Sequence, residues 1–227
     1  MNSRATFYDT PDGYGNPNGG CGYGEYGRRI NNGSVAAVSW LWRNGAGCGQ
    51  CYQVRCKIAE YCDHNGVNVM ATDYGEGDNT DFIMNRGAFL RLGANPDASA
   101  KLLEYGVVDV EFKRVPCKYT STRNIILHVQ ETSTNPSYFA VLILNANGMC
   151  DIIAVQIWRK ERNQWESLRR VYGAVFDFAN PPKGEIHLRF QAGNCGGENF
   201  KLWLESKVAI PANWKPGDTY DTKVQLF

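Results

Sequence analysis

The sequence predicts a mainly β protein in two parts, a disulfide-stapled β-barrel followed by a β-sandwich. Three observations carry this. Six cysteines, Cys21, Cys48, Cys51, Cys56, Cys62 and Cys117, are strung through glycine-rich sequence in the first half. Short runs rich in β-branched and aromatic residues, bounded by Gly or Asn, recur along the chain. In the second half such runs follow one another closely, at the spacing of a sandwich.

In the first half, Val35–Trp42, Val67–Thr72 and Val107–Arg114 read as strands. Asn95-Pro96-Asp97 opens a helix that Tyr105-Gly106 ends, and a second short helix is expected over Arg86–Leu92. In the second half the strands expected are Ile125–Gln130, Tyr138–Leu144, Ile152–Trp158, Trp165–Val171, Ala174–Phe178, Ile186–Phe190, Phe200–Glu205 and Val224–Phe227. Turn signals at Asn135-Pro136, Asn145–Gly148, Asn180–Gly184 and Gly193–Gly197 separate them. The domains expected are 1–118 and 123–227, joined by a short linker, Lys118 to Arg123, that favours packed domains over swinging ones.

The net charge is +1, with basic and acidic side chains near balance in each half. This gives no case for nucleic acid or an anionic membrane as partner and points to a ligand that is neutral or mixed in charge. No apolar run reaches the roughly 18 residues of a membrane span. An even cysteine count with no histidine beside the thiols reads as a disulfide framework from an oxidising compartment. Met1-Asn2-Ser3-Arg4 leads straight into ordered-looking sequence, the start expected of a mature secreted form. A cytosolic protein with reduced thiols is the competing reading. Asn32-Gly33-Ser34 is a glycosylation sequon on a predicted loop. Cys48-Gly49-Gln50-Cys51 has no second ligand pair at zinc spacing, and His64, His128 and His187 are isolated, so no metal or other cofactor is expected.

Several motifs carry a resemblance along almost the whole chain. They are Ala5-Thr6-Phe7-Tyr8, Gly19-Gly20-Cys21-Gly22, the run from Cys48 to Cys56, Thr72-Asp73, Ala88-Phe89 and Arg114-Val115-Pro116-Cys117-Lys118-Tyr119. Tyr172-Gly173-Ala174-Val175-Phe176, Ile210-Pro211-Ala212-Asn213-Trp214 and Tyr220 through Gln225 continue it. Together they resemble the expansins, plant cell-wall proteins. Gly24-Glu25-Tyr26-Gly27 and Asp73-Tyr74-Gly75-Glu76-Gly77 look most like the expansin-like B branch. The resemblance implies a double-psi β-barrel related to family-45 endoglucanases, then an immunoglobulin-like β-sandwich that binds carbohydrate. It implies the bridges Cys21–Cys48, Cys51–Cys117 and Cys56–Cys62. For Cys150 and Cys195, turns expected at one end of the sandwich suggest a fourth bridge, with two free thiols as the alternative.

Such hydrolases use one carboxylic acid to protonate the leaving oxygen and a second carboxylate to activate water. Expansins keep an acid in a His-Phe-Asp motif before an Ala-Phe pair; here the aligned stretch is Asp81-Phe82-Ile83, and Ile83 stands at the acid's position. An aliphatic side chain carries no proton, so a non-lytic protein is expected. Asp81 and Asp9 are the carboxylates that could reopen hydrolysis, against readings as a turn residue and a loop cap. The resemblance places Asp73, with Thr6 and Tyr8, in the barrel groove, and Asp81, two residues before Ile83 and so on the same strand face, is expected to reach that groove; Asp73 has the alternative of tying a β-turn. On the sandwich, Tyr138, Phe139 and Tyr172 align with an aromatic platform that stacks on sugar rings. Adjacent strand residues face opposite ways, so Tyr138 and Phe139 cannot both lie flat on the surface without a bulge; Tyr138 and Tyr172 are expected outward, with Phe139 and Phe176 toward the core. Trp158, Trp165, Trp203 and Trp214 are expected in core or inter-domain packing, and Arg169 and Arg170 on a solvated face. The function expected is that of a secreted, extracellular wall protein, monomeric, binding cellulose, xyloglucan or a related glucan. Two alternatives stand beside it: a pure carbohydrate-binding or defence-related protein with an inert groove, and an endoglucanase.

Overall fold

The computed structural model describes residues 1–76, 81–118, 124–146, 149–195 and 201–226. The chain divides into two compact units, Met1–Lys118 and Tyr119–Phe227. Apart from Lys118, the expected linker lies outside the described residues, as do parts of the turns expected over 145–148 and 193–197.

The first unit contains β1 (Asn2–Phe7), α1 (Gly24–Arg29), β2 (Val35–Val38), β3 (Cys51–Cys56), β4 (Val67–Tyr74), β5 (Phe82–Met84), α2 (Arg86–Leu90), α3 (Pro96–Tyr105) and β6 (Val108–Val115). The six strands close into a barrel in the order β1-β5-β2-β4-β3-β6. β1 runs parallel to β5 and β2 parallel to β4, the two parallel pairings of a double-psi barrel, while the other neighbours are antiparallel. Alternate residues fill the interior: Ala5, Tyr52, Val54, Val69, Phe82, Met84, Val110 and Phe112 are buried together. The rings of Tyr52, Phe82 and Phe112 meet edge to face at 5.1 to 5.9 Å.

Both expected helices form for local reasons. The Asn95 side chain accepts from the Ala98 N–H with Pro96 in the first turn, and Gly106 ends α3 at φ 69°. Asn85 caps α2 by accepting from the Gly87 and Ala88 N–H groups. The helix α1 was not expected. The strand expected over Val35–Trp42 stops at Val38, and Trp40–Gly45 forms a 3-10 segment with Arg43 and Asn44 at positive φ. Gly47 packs directly on this turn, where a Cβ would lie 1.8 Å from the Leu41 carbonyl oxygen. Disulfides join Cys21 to Cys48, Cys51 to Cys117 and Cys56 to Cys62. Asn32 is exposed.

The second unit is a sandwich of two antiparallel sheets. Its strands are β7 (Ile126–Val129), β8 (Tyr138–Leu144), β9 (Asp151–Arg159), β10 (Gln164–Ser167), β11 (Arg169–Tyr172), β12 (Val175–Ala179), β13 (Leu188–Gly193), β14 (Leu202–Glu205) and β15 (Thr219–Asp221). One sheet runs β10-β9-β13-β14 and the other β11-β12-β8-β7-β15. Between them Phe139, Val141, Val155, Ile157, Phe176, Phe190 and Trp214 form the core. A disulfide joins Cys150 to Cys195.

Three expectations change here. The single strand expected over Trp165–Val171 is two strands in different sheets, because Leu168 is buried between them and donates its N–H to the Val155 carbonyl. The C-terminal strand is Thr219–Asp221 rather than Val224–Phe227; Val224 and Leu226 still bury their side chains, and Phe227 lies outside the described residues. Of the four tryptophans only Trp214 is buried, whereas Trp158, Trp165 and Trp203 are partly exposed. Ile157 and Leu204 point into the core, so alternation turns their neighbours Trp158 and Trp203 outward.

Candidate functional site

On the barrel, one outward face gathers most of the expected residues. In cross-strand register Thr6 lies beside Ile83, Ile83 beside Ala37, and Ala37 beside Asp73. Asp73 reaches this face through a β-bulge. Ala36 pairs with the inward Ala71, but Ala37 pairs with Asp73, so Thr72 is the extra residue that turns Asp73 outward. The carboxylate is fixed there: Oδ1 accepts from the Gly20 N–H at 2.5 Å and the Tyr74 N–H at 2.7 Å, and Oδ2 faces the Tyr8 hydroxyl at 3.5 Å. Burial pushes the Asp73 carboxyl above its ordinary range, against the stabilising Gly20 N–H and Tyr8 hydroxyl. Burial, then the neighbouring Asp73 charge, raises the Tyr8 phenol well above its ordinary range.

The glycine-rich loop after β1 makes room for these groups. A Cβ at Gly15 would stand 2.6 Å from the Tyr8 ring, and one at Gly19 3.2 Å from Asp73 Cγ. Gly20 lies against Trp42, whose ring meets Tyr74 at 5.5 Å.

Thr6 and Asp81 are placed differently. The Thr6 hydroxyl donates to the Gly106 carbonyl at 2.8 Å, which commits its proton to the end of α3. Asp81 accepts from the hydroxyls of Ser3 and Ser39, 3.0 Å from the latter, and so belongs to a separate polar cluster. Asp9 is exposed in the loop after β1. Sequence reasoning missed Trp40, which is 87% exposed and directly follows Ser39. Its signal was hidden because Val35–Trp42 reads as one strand.

On the sandwich, Tyr138, Asp177 and Arg169 share the outer face of the five-stranded sheet. The Tyr138 hydroxyl donates to Asp177 Oδ2 at 2.8 Å, and Arg169 donates from Nε and Nη2 to the two carboxylate oxygens at 3.0 and 2.5 Å. The Arg169 hydrogen bonds hold the Asp177 carboxyl below its usual range, while the bond to Asp177 raises the Tyr138 phenol. Tyr172 joins this face by a second bulge: Arg170 pairs with the inward Phe176, but Tyr172 pairs with Val175. It is 48% exposed.

Two expectations are corrected. Phe139 faces the core as expected, being fully buried against Trp214 at 5.4 Å while Tyr138 takes the outward position, so its alignment with an exposed platform is what is corrected. Arg169 is exposed, as expected of a solvated face, but Arg170 is only partly so. Arg169 is paired with Asp177, and Arg170 lies over the Phe176 ring and donates to the carbonyls of Gly173 and Ile152.

The comparisons with known proteins agree along the chain. Residues 125–211 match the expansin C-terminal domain, and residues 34–112 match a double-psi barrel family described as lytic transglycolase. Expansin-like B1 of Arabidopsis thaliana is 50% identical over 227 residues, covering 100% of this chain and 89% of its own. The chain belongs to the expansin family. Expansin-like B1 of Oryza sativa subsp. japonica is 41% identical over 99% of this chain and 87% of its own, so the likeness to the expansin-like B branch is not confined to one plant. Among solved structures, the apo expansin of Clavibacter michiganensis superposes with a TM-score of 0.71 at 20% identity, covering 100% of this chain and 98% of that one. A variant of that expansin, solved in complex with cellohexaose, gives 0.70 over 99% and 98%. At that identity the match speaks for the fold.

Proposed function

We propose that this is a secreted, extracellular cell-wall protein that binds wall polysaccharide and loosens it without hydrolysis. The observation that carries this reading is the state of the carboxylates on the barrel face. Asp73 is held as a hydrogen-bond acceptor by two backbone N–H groups, and Asp81 is tied to Ser3 and Ser39. In the same cross-strand row as Asp73, one strand beyond Ala37, stands Ile83, which can neither donate nor accept a proton. A glycosidase needs an acid and a base across one scissile bond. A groove that accepts hydrogen bonds from sugar hydroxyls needs only fixed acceptors and aromatic walls, which Asp73, Tyr8, Trp42, Tyr74 and Trp40 supply.

The mechanism is physical. Tyr138 and Tyr172 stack on a glucan chain, and the barrel face competes for hydroxyls that otherwise bond neighbouring chains. Cellulose, xyloglucan or a related glucan is the ligand class, and the protein acts as a monomer without a cofactor. The expansin complex with cellohexaose is consistent with this class of ligand. An inert groove on a carbohydrate-binding protein is the second reading, favoured by the aliphatic Ile83 at the centre of the face.

The test is retention of intact protein and a Tyr138→Ala/Tyr172→Ala variant on insoluble cellulose, with reducing ends assayed in the same tubes. Retention lost in the variant without sugar release supports the reading. Release of reducing ends overturns its non-lytic part, and unchanged retention removes the sandwich platform. Wall extension by Asp73→Ala protein separates the two readings: loss of extension with retained binding assigns loosening to the groove.

A further inference from the structure

The outer face of the four-stranded sheet carries aromatic residues that neither proposed glycan surface uses. Ile157, Leu188, Phe190 and Leu204 point into the core, so Trp158, Trp165, Arg189 and Trp203 stand together outside. The Arg189 guanidinium lies 4.5 Å from the Trp165 ring centre and 4.3 Å from that of Trp203. Its Nε and Nη2 donate to Gln156 Oε1 at 2.8 and 2.6 Å. Pinned in this way, the cation acts as a rigid spacer that orients Trp165 edge-on to Trp158 at 5.3 Å. Beside this corner opens a cavity of about 360 Å³, lined by Trp158, Trp165, His187, Leu188, Glu205 and Ser206.

A preoriented indole corner next to polar groups is the form of a small saccharide site, since sugar C–H faces stack on rings while hydroxyls seek acceptors. The volume lies near the lower end of small-ligand pockets, which run from about 300 to 1,000 Å³, so a short stretch of sugar fits rather than a long chain. Charge selects among sugars. The Glu205 side chain has no hydrogen bond or ion pair among the described residues, which leaves its carboxylate able to accept from sugar hydroxyls. Arg189 stands directly across the ladder from Glu205 and keeps its charge beside the neutral Gln156 and the two rings, so the corner is near neutral overall and suits a neutral glycan. We propose that this corner is a second saccharide site, on the sheet opposite Tyr138 and Tyr172, for a short stretch of neutral glycan. One ring stacks on Trp158, its hydroxyls donate to the Glu205 carboxylate, and Trp165 forms the side wall.

The site is tested with cellohexaose by calorimetry, in a Tyr138→Ala/Tyr172→Ala/Asp73→Ala background that disables both surfaces of the proposed function. The result expected is a saturable binding event that disappears when Trp158→Ala is added and weakens about fivefold with Glu205→Gln. Because Trp158 packs against Trp165, circular dichroism checks the fold of the first variant. Glu205→Gln removes only a charge at an exposed position and gives an independent reading. Binding unchanged by both substitutions, or no binding in that background, overturns the site. The outcome stays distinct from the proposed function, whose platform is judged by cellulose retention of the Tyr138→Ala/Tyr172→Ala protein with Trp158 and Glu205 intact.

Discussion

The hydroxyl of Tyr138 is hydrogen-bonded at 2.8 Å to the buried carboxylate of Asp177, which Arg169 grips through both oxygens. The ring proposed to stack on glucan is therefore anchored through its polar end, leaving a defined aromatic face. The exposed arginine beside it is structural as well as charged.

Replacing Asp177 with Ala should release both partners and lower stability by about 1 to 2 kcal/mol, the lower end reflecting the solvent exposure of Arg169. The sign of the pH effect follows from the depressed carboxyl of Asp177. Its contribution is present above the unfolded-state pKa, near 4, and is lost as pH falls through the lower folded value. Melting temperatures of parent and variant should converge in acid; a gap constant from pH 7 down to pH 2 would contradict the assignment.

Asp73 predicts the opposite trend, because burial raises its carboxyl. Whatever stability its protonated form contributes is lost as pH rises through the folded pKa. Asp73→Asn keeps an acceptor for the Gly20 and Tyr74 N–H groups and removes the buried charge. It should melt no lower than the parent at pH 7, with an advantage that shrinks as pH falls through the raised folded pKa and is gone below the unfolded value near 4. Thermal scans across that range check this.

Gly15→Ala places a methyl group within 2.6 Å of the Tyr8 ring at a backbone φ of 84°. The ring must move or the loop must shift, at a cost of about 1 to 3 kcal/mol. Chemical denaturation measures the loss. Weaker retention on cellulose by the folded fraction would tie Tyr8 to the groove.

Phe139→Ala and Tyr138→Ala should part company although the residues are adjacent. Emptying the Phe139 position removes a fully buried ring packed on Trp214 and should cost about 3 to 5 kcal/mol, leaving cellulose retention of the folded protein unchanged. Tyr138→Ala should lose retention with the smaller stability cost. Equal stability losses for the two would argue against the inward and outward assignment.

The Cys150–Cys195 bridge closes a separation of 45 residues. Chain-entropy reasoning puts its contribution near 4 kcal/mol, so Cys150→Ser/Cys195→Ser should lose about 2 to 4 kcal/mol in reversible denaturation. A loss below about 1 kcal/mol would mean that the sandwich holds this end without the bridge.

Much of the architecture was legible because its signals are local. Asn95-Pro96 and Gly106 mark a helix by caps that act within one turn, and Val67 to Tyr74 reads as a strand from its own composition. Faces were less legible. By simple alternation Asp73 shares the inward face of Ala71, and Tyr172 shares that of Arg170; a bulge at each place reverses this. A two-residue period carried straight through β4 and β11 would send both inward, and only the register reveals the bulges that turn them out. Trp158, Trp165 and Trp203 failed the other way, since large apolar side chains argue for the core until the register of β9, β10 and β14 is known.

By itself the sequence determined the mainly β class, the glycine turns and the helix caps, because each depends on a residue's own chemistry or on neighbours a few positions away. The tertiary structure alone decided that Asp73 is held by Gly20 and Tyr74, that Asp81 is spent on Ser3 and Ser39, and that Asp177 joins Tyr138 to Arg169. Most of these contacts join residues far apart in the chain, and hydrogen bonds and ion pairs act over a few ångströms. Which groups come that close is set by strand register and bulges, which no local pattern encodes.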